Sequence, residues 1–183
     1  KNKSGWTSVQ KWLATAKNEF EVLPKDSKRA KSALYETQVT TKSSMGAIVY
    51  ETGGILIDHG WIRILGSGCK KLDRELMAWN EGKSFQKGET NIGYLLIADD
   101  VLGGFFAINN GGISPEDIGK IFYFVPQSLY WEPMNLGYSE FIQWCLNCDM
   151  ETFYRGSRWV EWKKEIAQIN GTQGIHCFPP LFS

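Results

Sequence analysis

Residues 92–126 constrain the fold more than any other segment, because three apolar runs of strand length follow one another between turn-forming residues. The runs cover residues 94–98, 105–108 and 121–125. Asp-Asp, Gly-Gly, Asn-Asn-Gly-Gly and Pro bound them, and such residues typically end a strand and begin a turn. The pattern predicts three consecutive strands of a β-meander.

The composition is that of an ordinary globular protein with an excess of aromatic residues. Of the 183 residues, 43% are hydrophobic and 22% charged, and there is no repeat or linker, so we expect one domain spanning 1–183. Basic and acidic residues both number 20, so no net field favours a nucleic acid or an anionic membrane as partner. No apolar run reaches the roughly 20 residues that span a bilayer. Eight tryptophans, seven tyrosines and ten phenylalanines indicate an aromatic core or, alternatively, a partner interface.

Helical spacing of apolar residues predicts helices on both sides of the meander. Residues 6–20 form one amphipathic pattern, and Asp26 or Ser27 can cap a second helix. Ser139 is the predicted cap of a helix over 140–148. Further helical patterns cover 72–79 and 159–166.

Runs bounded by glycine predict strands in the first half of the chain as well. Residues 46–52, 55–58 and 61–65 are separated by Gly-Gly and His-Gly, which favours antiparallel pairing over βαβ units. The remaining segments are an aromatic loop at Tyr130, Trp131 and Pro133 and a short strand at 175–178. The predicted fold class is therefore α+β, with a central and mostly antiparallel sheet and helices packed on it.

The ionisable residues offer little that resembles a catalytic site. Asp99 and Asp100 are a candidate acid pair, but adjacent strand residues point to opposite faces, so turn carboxylates that accept backbone amides are favoured. His59, beside Asp58, lies in no nucleophile motif, and GxSxG is absent from the sequence. We predict that the protein is not an enzyme.

The four cysteines are too few for a disulfide scaffold, which favours reduced thiols and a cytoplasmic location. Cys145-x-x-Cys148 with His176 and Cys177 is the plausible zinc set. Cys145 shares the apolar face of its predicted helix, and an adjacent His-Cys pair is poor chelate spacing, so buried and inert thiols are favoured. We predict no metal and no cofactor.

Ordered sheet and turn motifs provide a family resemblance. They are GAIV at 46–49, GGI at 53–55, WIRILGSG at 61–68, IADDVLGGFFAI at 97–108, IFYFVP at 121–126, Trp131 and FIQW at 141–144. In this order they resemble an uncharacterised bacterial family related to the SUKH superfamily, which includes the Smi/Knr-like proteins. The resemblance extends from about Ala33 to Pro180.

The resemblance implies a SUKH-like α+β domain to which an N-terminal helix and a C-terminal extension are added. Many bacterial SUKH members are thought to be immunity proteins, which bind a cognate toxin and block it without catalysis. We therefore predict a non-enzymatic immunity protein that neutralises its protein partner, a toxin, by occlusion. The predicted partner-binding face consists of Trp61, Arg63, Asp99, Asp100, Tyr130 and Trp131.

Two other functions remain open at this point. An aromatic-lined pocket could bind a small ligand or catalyse a reaction with acid–base groups from Asp58, His59, Asp99 or Asp100. In that case two of these carboxylates should converge near His59. Alternatively, exposed aromatic residues could mediate self-association.

Overall fold

A computed structural model of the chain describes residues 4–175, which contain seven helices and one seven-stranded sheet. The helices are α1 (Gly5–Ala14), α2 (Ser27–Thr37), α3 (Ser44–Glu51), α4 (Leu76–Asn80), α5 (Tyr138–Asn147), α6 (Met150–Phe153) and α7 (Trp162–Ile166). The strands are β1 (Phe20–Leu23), β2 (Gly54–Ile57), β3 (Ile62–Leu65), β4 (Tyr94–Asp100), β5 (Phe105–Asn109), β6 (Ile121–Val125) and β7 (Tyr130–Pro133). All neighbouring strands pair antiparallel, and their order in the sheet is their order in the chain. The predicted α+β class with an antiparallel sheet is confirmed.

The strands predicted from glycine-bounded apolar runs are largely correct. The three runs of the meander form β4, β5 and β6, and the runs at 55–58 and 61–65 form β2 and β3. The cap at Asp26 is also confirmed, because its carboxylate accepts hydrogen bonds from the backbone of Lys28 and Arg29. Local sequence patterns were therefore sufficient for the middle of the sheet.

The strand predicted at 46–52 is wrong, because this segment belongs to α3. Ser43 caps that helix, and its hydroxyl accepts a hydrogen bond of 3.0 Å from the Gly46 amide. Gly46 lies so close to the Thr40 carbonyl oxygen that a Cβ would be 2.3 Å away. A short apolar run can be a buried strand or a buried helix, and here the close approach at Gly46 and the serine cap favour the helix.

The predicted N-terminal helix over 6–20 is too long. It ends at Ala14, and the chain then turns so that Phe20 begins β1. Asn18 fixes this turn, because its side-chain amide donates to the carbonyl oxygens of Cys145 (2.9 Å) and Cys148 (3.0 Å). Contacts with α5 therefore override the local helical pattern.

Two further predictions around β7 are wrong, and one falls outside the described residues. The aromatic segment at 130–133 is a strand paired with β6, not a loop. Helix α5 is capped at Gly137, whose amide donates to the Glu140 carboxylate over 2.7 Å, and Ser139 lies inside the helix. The strand predicted at 175–178 lies beyond the described residues except for Ile175.

The two faces of the sheet have different coverings. On one face, Phe106 of β5 packs against Phe141 of α5, with 5.0 Å between ring centroids, and α1, α3 and α5 contact one another above it. On the other face, Asn80 of α4 donates to the Leu96 carbonyl and accepts from the Leu96 amide, both at 2.8 Å. This second face is covered near β3 and β4 and more open towards β7. Within residues 4–175, no helix has both the length and the apolar character required to cross a bilayer.

Candidate functional site

One residue from each of the seven strands lies in a line across the sheet, which we call the cross-strand row. Successive directly opposed partners are Glu21, Leu56, Arg63, Asp99, Phe105, Phe124 and Trp131. Directly opposed residues of an antiparallel pair project to the same face. All seven side chains therefore lie on the face opposite α5. The members of the row on β3 and β4 are charged, and those on β5, β6 and β7 are aromatic.

The centre of the cross-strand row is a buried ion cluster, here named the arginine–aspartate cluster: Arg63, Asp99 and Arg74. Arg63 donates to both carboxylate oxygens of Asp99, through Nε at 2.9 Å and Nη2 at 2.8 Å. Arg74 does the same through Nη1 at 2.8 Å and Nη2 at 3.0 Å. Arg63, Asp99 and Arg74 are 4%, 5% and 8% exposed. One carboxylate thus receives two bidentate guanidinium groups in a nearly dry environment.

Both arginines of the cluster have further roles. Arg63 Nη1 donates to the Gln173 carbonyl oxygen, and this bond fixes the segment after α7 to the sheet. Arg63 Nη2 also donates to the Asp100 carbonyl oxygen at 3.1 Å. The Arg74 guanidinium lies 4.8 Å from the centre of the Trp79 ring. Within residues 4–175, Arg74 Nε is buried without a hydrogen-bond partner. The cluster therefore retains donor capacity that the described residues do not use.

Five aromatic side chains form a continuous series beside this cluster, which we call the aromatic row: Trp79, Phe105, Phe124, Trp131 and Tyr94. Their successive ring centroids are separated by 5.9, 6.1, 5.2 and 5.7 Å. Each of the five side chains is only partly buried. The aromatic row is therefore a surface on a rigid sheet rather than a part of the main core.

An open cleft lies where the aromatic row meets the arginine–aspartate cluster. Its volume is about 380 Å³. Besides the three residues of the cluster, it is lined by Trp79, Phe105, Asp100, Gly103 and residues 172–174. Charged and aromatic groups thus share one concave surface.

Asp100 belongs to a different network on the helix-covered face. Its carboxylate accepts hydrogen bonds from the hydroxyls of Tyr123 (2.7 Å) and Tyr154 (3.0 Å) and from the amides of Leu102 and Gly104 (both 2.9 Å). Burial raises the pKa of Asp100 above its ordinary value, and these hydrogen bonds offset part of the effect. The predicted turn role therefore holds for Asp100, whereas Asp99 is engaged by arginines.

The acid–base groups of the alternative prediction do not converge near His59. The His59 amide donates to the Glu19 carboxylate at 2.6 Å, and Glu19 was not among the predicted groups. Asp58 bonds to Arg158, while Asp99 and Asp100 occupy the two networks described above. The described carboxylates are thus bonded to separate partners.

The predicted partner-binding residues do not form a single face. Trp61, Arg63, Asp99 and Asp100 are buried, and Trp61 packs against Tyr154, with 5.3 Å between ring centroids. Tyr130 is 73% exposed and Trp131 is partly exposed on β7. We therefore correct the assignment of the four buried residues, because their side chains pack and pair internally.

Sequence reasoning missed most of the aromatic row and one member of the cluster. Trp79, Tyr94, Phe105 and Phe124 were not predicted as site residues. The alternation of Phe122 and Phe124 along one strand was a signal for a shared face. Arg74 lies in the irregular segment between β3 and α4 and reaches Asp99 through tertiary structure alone, so no local pattern marked it.

The cysteines of the possible zinc set are only partly described. Cys145 is fully buried in α5, and burial raises the pKa of its thiol. Burial and the nearby Asp149 carboxylate raise the pKa of Cys148 to about 12. Among residues 4–175, no group of three or more potential ligands could hold a metal ion. His176 and Cys177 lie outside the described residues.

The fold and the site define a class of α+β protein with a seven-stranded antiparallel meander and an aromatic row on its more open face. The family model described as "Protein of unknown function DUF2625" matches residues 1–183, and the chain belongs to this family.

Two relatives come from bacteria and are uncharacterised, in agreement with the prediction of an uncharacterised bacterial family. An "Uncharacterized protein" from Haemophilus influenzae (strain ATCC 51907 / DSM 11121 / KW20 / Rd) is 46% identical over 177 residues, which cover 97% of this chain and 77% of the relative. The "Putative uncharacterized protein YbfG" from Escherichia coli (strain K12) is 44% identical over 179 residues, which cover 98% of this chain and 81% of the relative.

Proposed function

We propose that this protein is a non-enzymatic protein-binding domain whose contact surface is the aromatic row. The observation that carries the proposal is the unbroken contact of five partly exposed rings on one sheet face. Aromatic side chains are enriched in protein interfaces, because they offer a large contact area at low conformational cost. Four of the rings belong to paired strands, so little ordering would be required on binding.

The surroundings of the aromatic row suit an interface better than a second core. The helices α1, α3 and α5 cover the opposite face, where Phe106 and Phe141 are fully buried. On the face of the aromatic row, α4 carries Trp79 and packs against β4, and the four rings on the strands are only partly buried. Tyr130, at the start of the same edge strand, adds further exposed aromatic surface.

Within this class, we propose a toxin-neutralising immunity protein that acts in the cytoplasm. The support is the sequence resemblance to SUKH-like proteins, and the proposal includes membership of that superfamily. The mechanism is occlusion: Trp131 and Phe124 anchor a surface of the toxin, and charged residues at the rim determine which toxin is accepted. Catalysis has no part in this mechanism.

The alternative of a catalytic or small-ligand pocket near His59 receives less support. It required carboxylates to converge on that histidine, and the described carboxylates of Asp58, Asp99 and Asp100 have other partners. The cleft around His59 is bordered by ion-paired side chains such as Glu21 and Lys71.

The proposal is tested with the C-terminal domain of a large secreted protein, the toxin that we expect a neighbouring reading frame to encode. Co-expression of this protein is expected to restore the growth of cells that produce the toxin domain, and the two proteins should purify together. Trp131→Ala should abolish the rescue, whereas Tyr35→Ala should not, because Tyr35 is 85% exposed on α2 and contacts no ring of the aromatic row. Rescue that survives Trp131→Ala in a correctly folded variant would contradict the proposed surface.

A further inference from the structure

The arginine–aspartate cluster has an excess of positive charge. It contains two guanidinium groups and one carboxylate, and arginine remains protonated in proteins. The acidic residues nearby in the chain do not bond to these arginines: the Asp100 carboxylate bonds to tyrosines on the opposite face, Asp73 bonds to Arg29 at 2.7 Å, and one carboxylate oxygen of Glu75 is buried without a partner among the described residues. Within the described chain, one positive charge is thus left without a bonded counter-charge.

Uncompensated charge in a buried site is costly, and an anionic ligand relieves this cost. Charges removed from water interact more strongly, because the effective dielectric constant is lower than that of water. Arg63 and Arg74 both border the open cleft. Each Nη group of Arg74 directs one N–H bond towards Asp99, and a guanidinium has five N–H bonds in total, so donors remain for a ligand.

The walls of the cleft specify the rest of the ligand. Trp79 and Phe105 lie on one side, with 5.9 Å between their ring centroids. The Arg74 guanidinium lies 4.8 Å from the centre of the Trp79 ring. The apolar wall therefore favours a planar, apolar body, and the guanidinium favours a negative charge beside it.

We propose that this cleft binds a small aromatic monocarboxylic acid. The carboxylate pairs with Arg63 and Arg74, and the ring of the ligand packs on Trp79 and Phe105. The cleft volume of about 380 Å³ falls within the range of small-molecule sites. A single negative charge matches the single excess positive charge, whereas a dianionic phosphate would over-compensate it. The ligand site shares Trp79 and Phe105 with the aromatic row, but the inference goes beyond the proposed function, because it rests on the arginine–aspartate cluster and the cleft and needs no protein partner.

The test uses two probes of nearly the same shape and different charge. Indole-3-acetate and its neutral amide, indole-3-acetamide, are titrated into the full-length protein by isothermal titration calorimetry. The acid is expected to bind at least about tenfold more tightly, because only its carboxylate pairs with the guanidinium groups. Equal affinities, or the absence of acid binding at millimolar concentration, would overturn the inference.

A pair of matched substitutions locates the bound acid. Trp79→Leu is expected to weaken acid binding at least about tenfold, because it removes the wall of the cleft. Trp12→Leu makes the same chemical change in α1, on the opposite face of the sheet, and should leave the affinity for the acid unchanged. Circular dichroism spectra confirm that both variants are folded. An unchanged affinity in folded Trp79→Leu, or an equal loss in both variants, would place the acid elsewhere and overturn the assignment.

Discussion

Asp99 and Asp100 are adjacent in the chain, yet their carboxylates lie on opposite faces of the sheet and belong to separate networks. Asp99 receives four hydrogen bonds from two arginines, whereas Asp100 receives four from two tyrosines and two turn amides. Alternation along β4 explains the separation. The end of one strand thereby connects the sheet to the coverings of both its faces.

Asp99→Asn is expected to lower the free energy of unfolding by about 3–5 kcal/mol, because it leaves two buried guanidinium groups without a charged partner. The matched control is Asp73→Asn, since Asp73 pairs with Arg29 through a side chain that is 66% exposed. Such surface pairs contribute at most about 1 kcal/mol. Urea unfolding monitored by fluorescence measures both values. A loss at Asp99 no larger than that at Asp73 would contradict the role of the arginine–aspartate cluster.

Asp100 is expected to make stability depend on pH. The pKa of Asp100 in the folded state is raised above its ordinary value of 3.8. The stabilising contribution of Asp100 is therefore complete below the ordinary pKa and is lost as the pH rises through the folded-state pKa. Asp100→Asn removes this titration. The free energy of unfolding of the wild type minus that of the variant should therefore decrease from about pH 4 to pH 7. A difference that stays flat or rises over this range would contradict a raised pKa for Asp100.

Glu75→Gln is expected to stabilise the protein at neutral pH. Burial and the neighbouring Glu36 carboxylate raise the pKa of Glu75 above its ordinary value of 4.5, so ionisation of Glu75 opposes folding as the pH rises. Thermal unfolding should show a higher midpoint for the variant at pH 7 and a smaller gain below pH 4.5, where Glu75 is protonated in both states. Glu36→Gln should have the same sign at pH 7. Destabilisation by both variants at pH 7 would argue against repulsion between the two carboxyl groups.

Arg158 is expected to hold the segment after α5 against the hairpin of β2 and β3. Its side chain is 6% exposed, pairs with Asp58, and lies 4.6 Å and 4.1 Å from the ring centres of Trp61 and Trp162. Arg158→Ala should cost about 3–5 kcal/mol, because it leaves a largely buried carboxylate unpaired. Hydrogen–deuterium exchange should also accelerate in residues 150–169. Exposed Arg155→Ala is the control, and similar exchange in both variants would exclude this role.

The middle of the sheet was predictable because each strand has its own apolar run between glycine or aspartate turns. Residues 46–52 were not, since an apolar segment of that length fits a buried helix as well as a strand. The end of α1 was missed because Asn18 and its hydrogen bonds to α5 stop the helix, and those partners are more than 100 residues away. Tertiary contacts thus override local propensity at both positions.

The candidate site was less predictable than the fold. Trp61 and Arg63 were assigned to a surface because they lie at a strand end, but the segment after α6 and Gln173 cover them. Trp131 was predicted to bind a partner from a loop, and it lies partly exposed on strand β7. The other members of the aromatic row come together only when β4 to β7 pair and α4 packs against β4, so strand register and helix packing were the missing information.

The affinity of the proposed toxin partner, the C-terminal domain that we expect a neighbouring reading frame to encode, tests the central claim most directly. Isothermal titration calorimetry compares the wild type with Phe124→Ala and Trp131→Ala, and with Tyr35→Ala as the exposed control. If the aromatic row is the contact surface, each row variant weakens binding by at least about tenfold, as expected for an interface anchor, while the control binds like the wild type. Wild-type affinity in folded Phe124→Ala and Trp131→Ala would contradict the account.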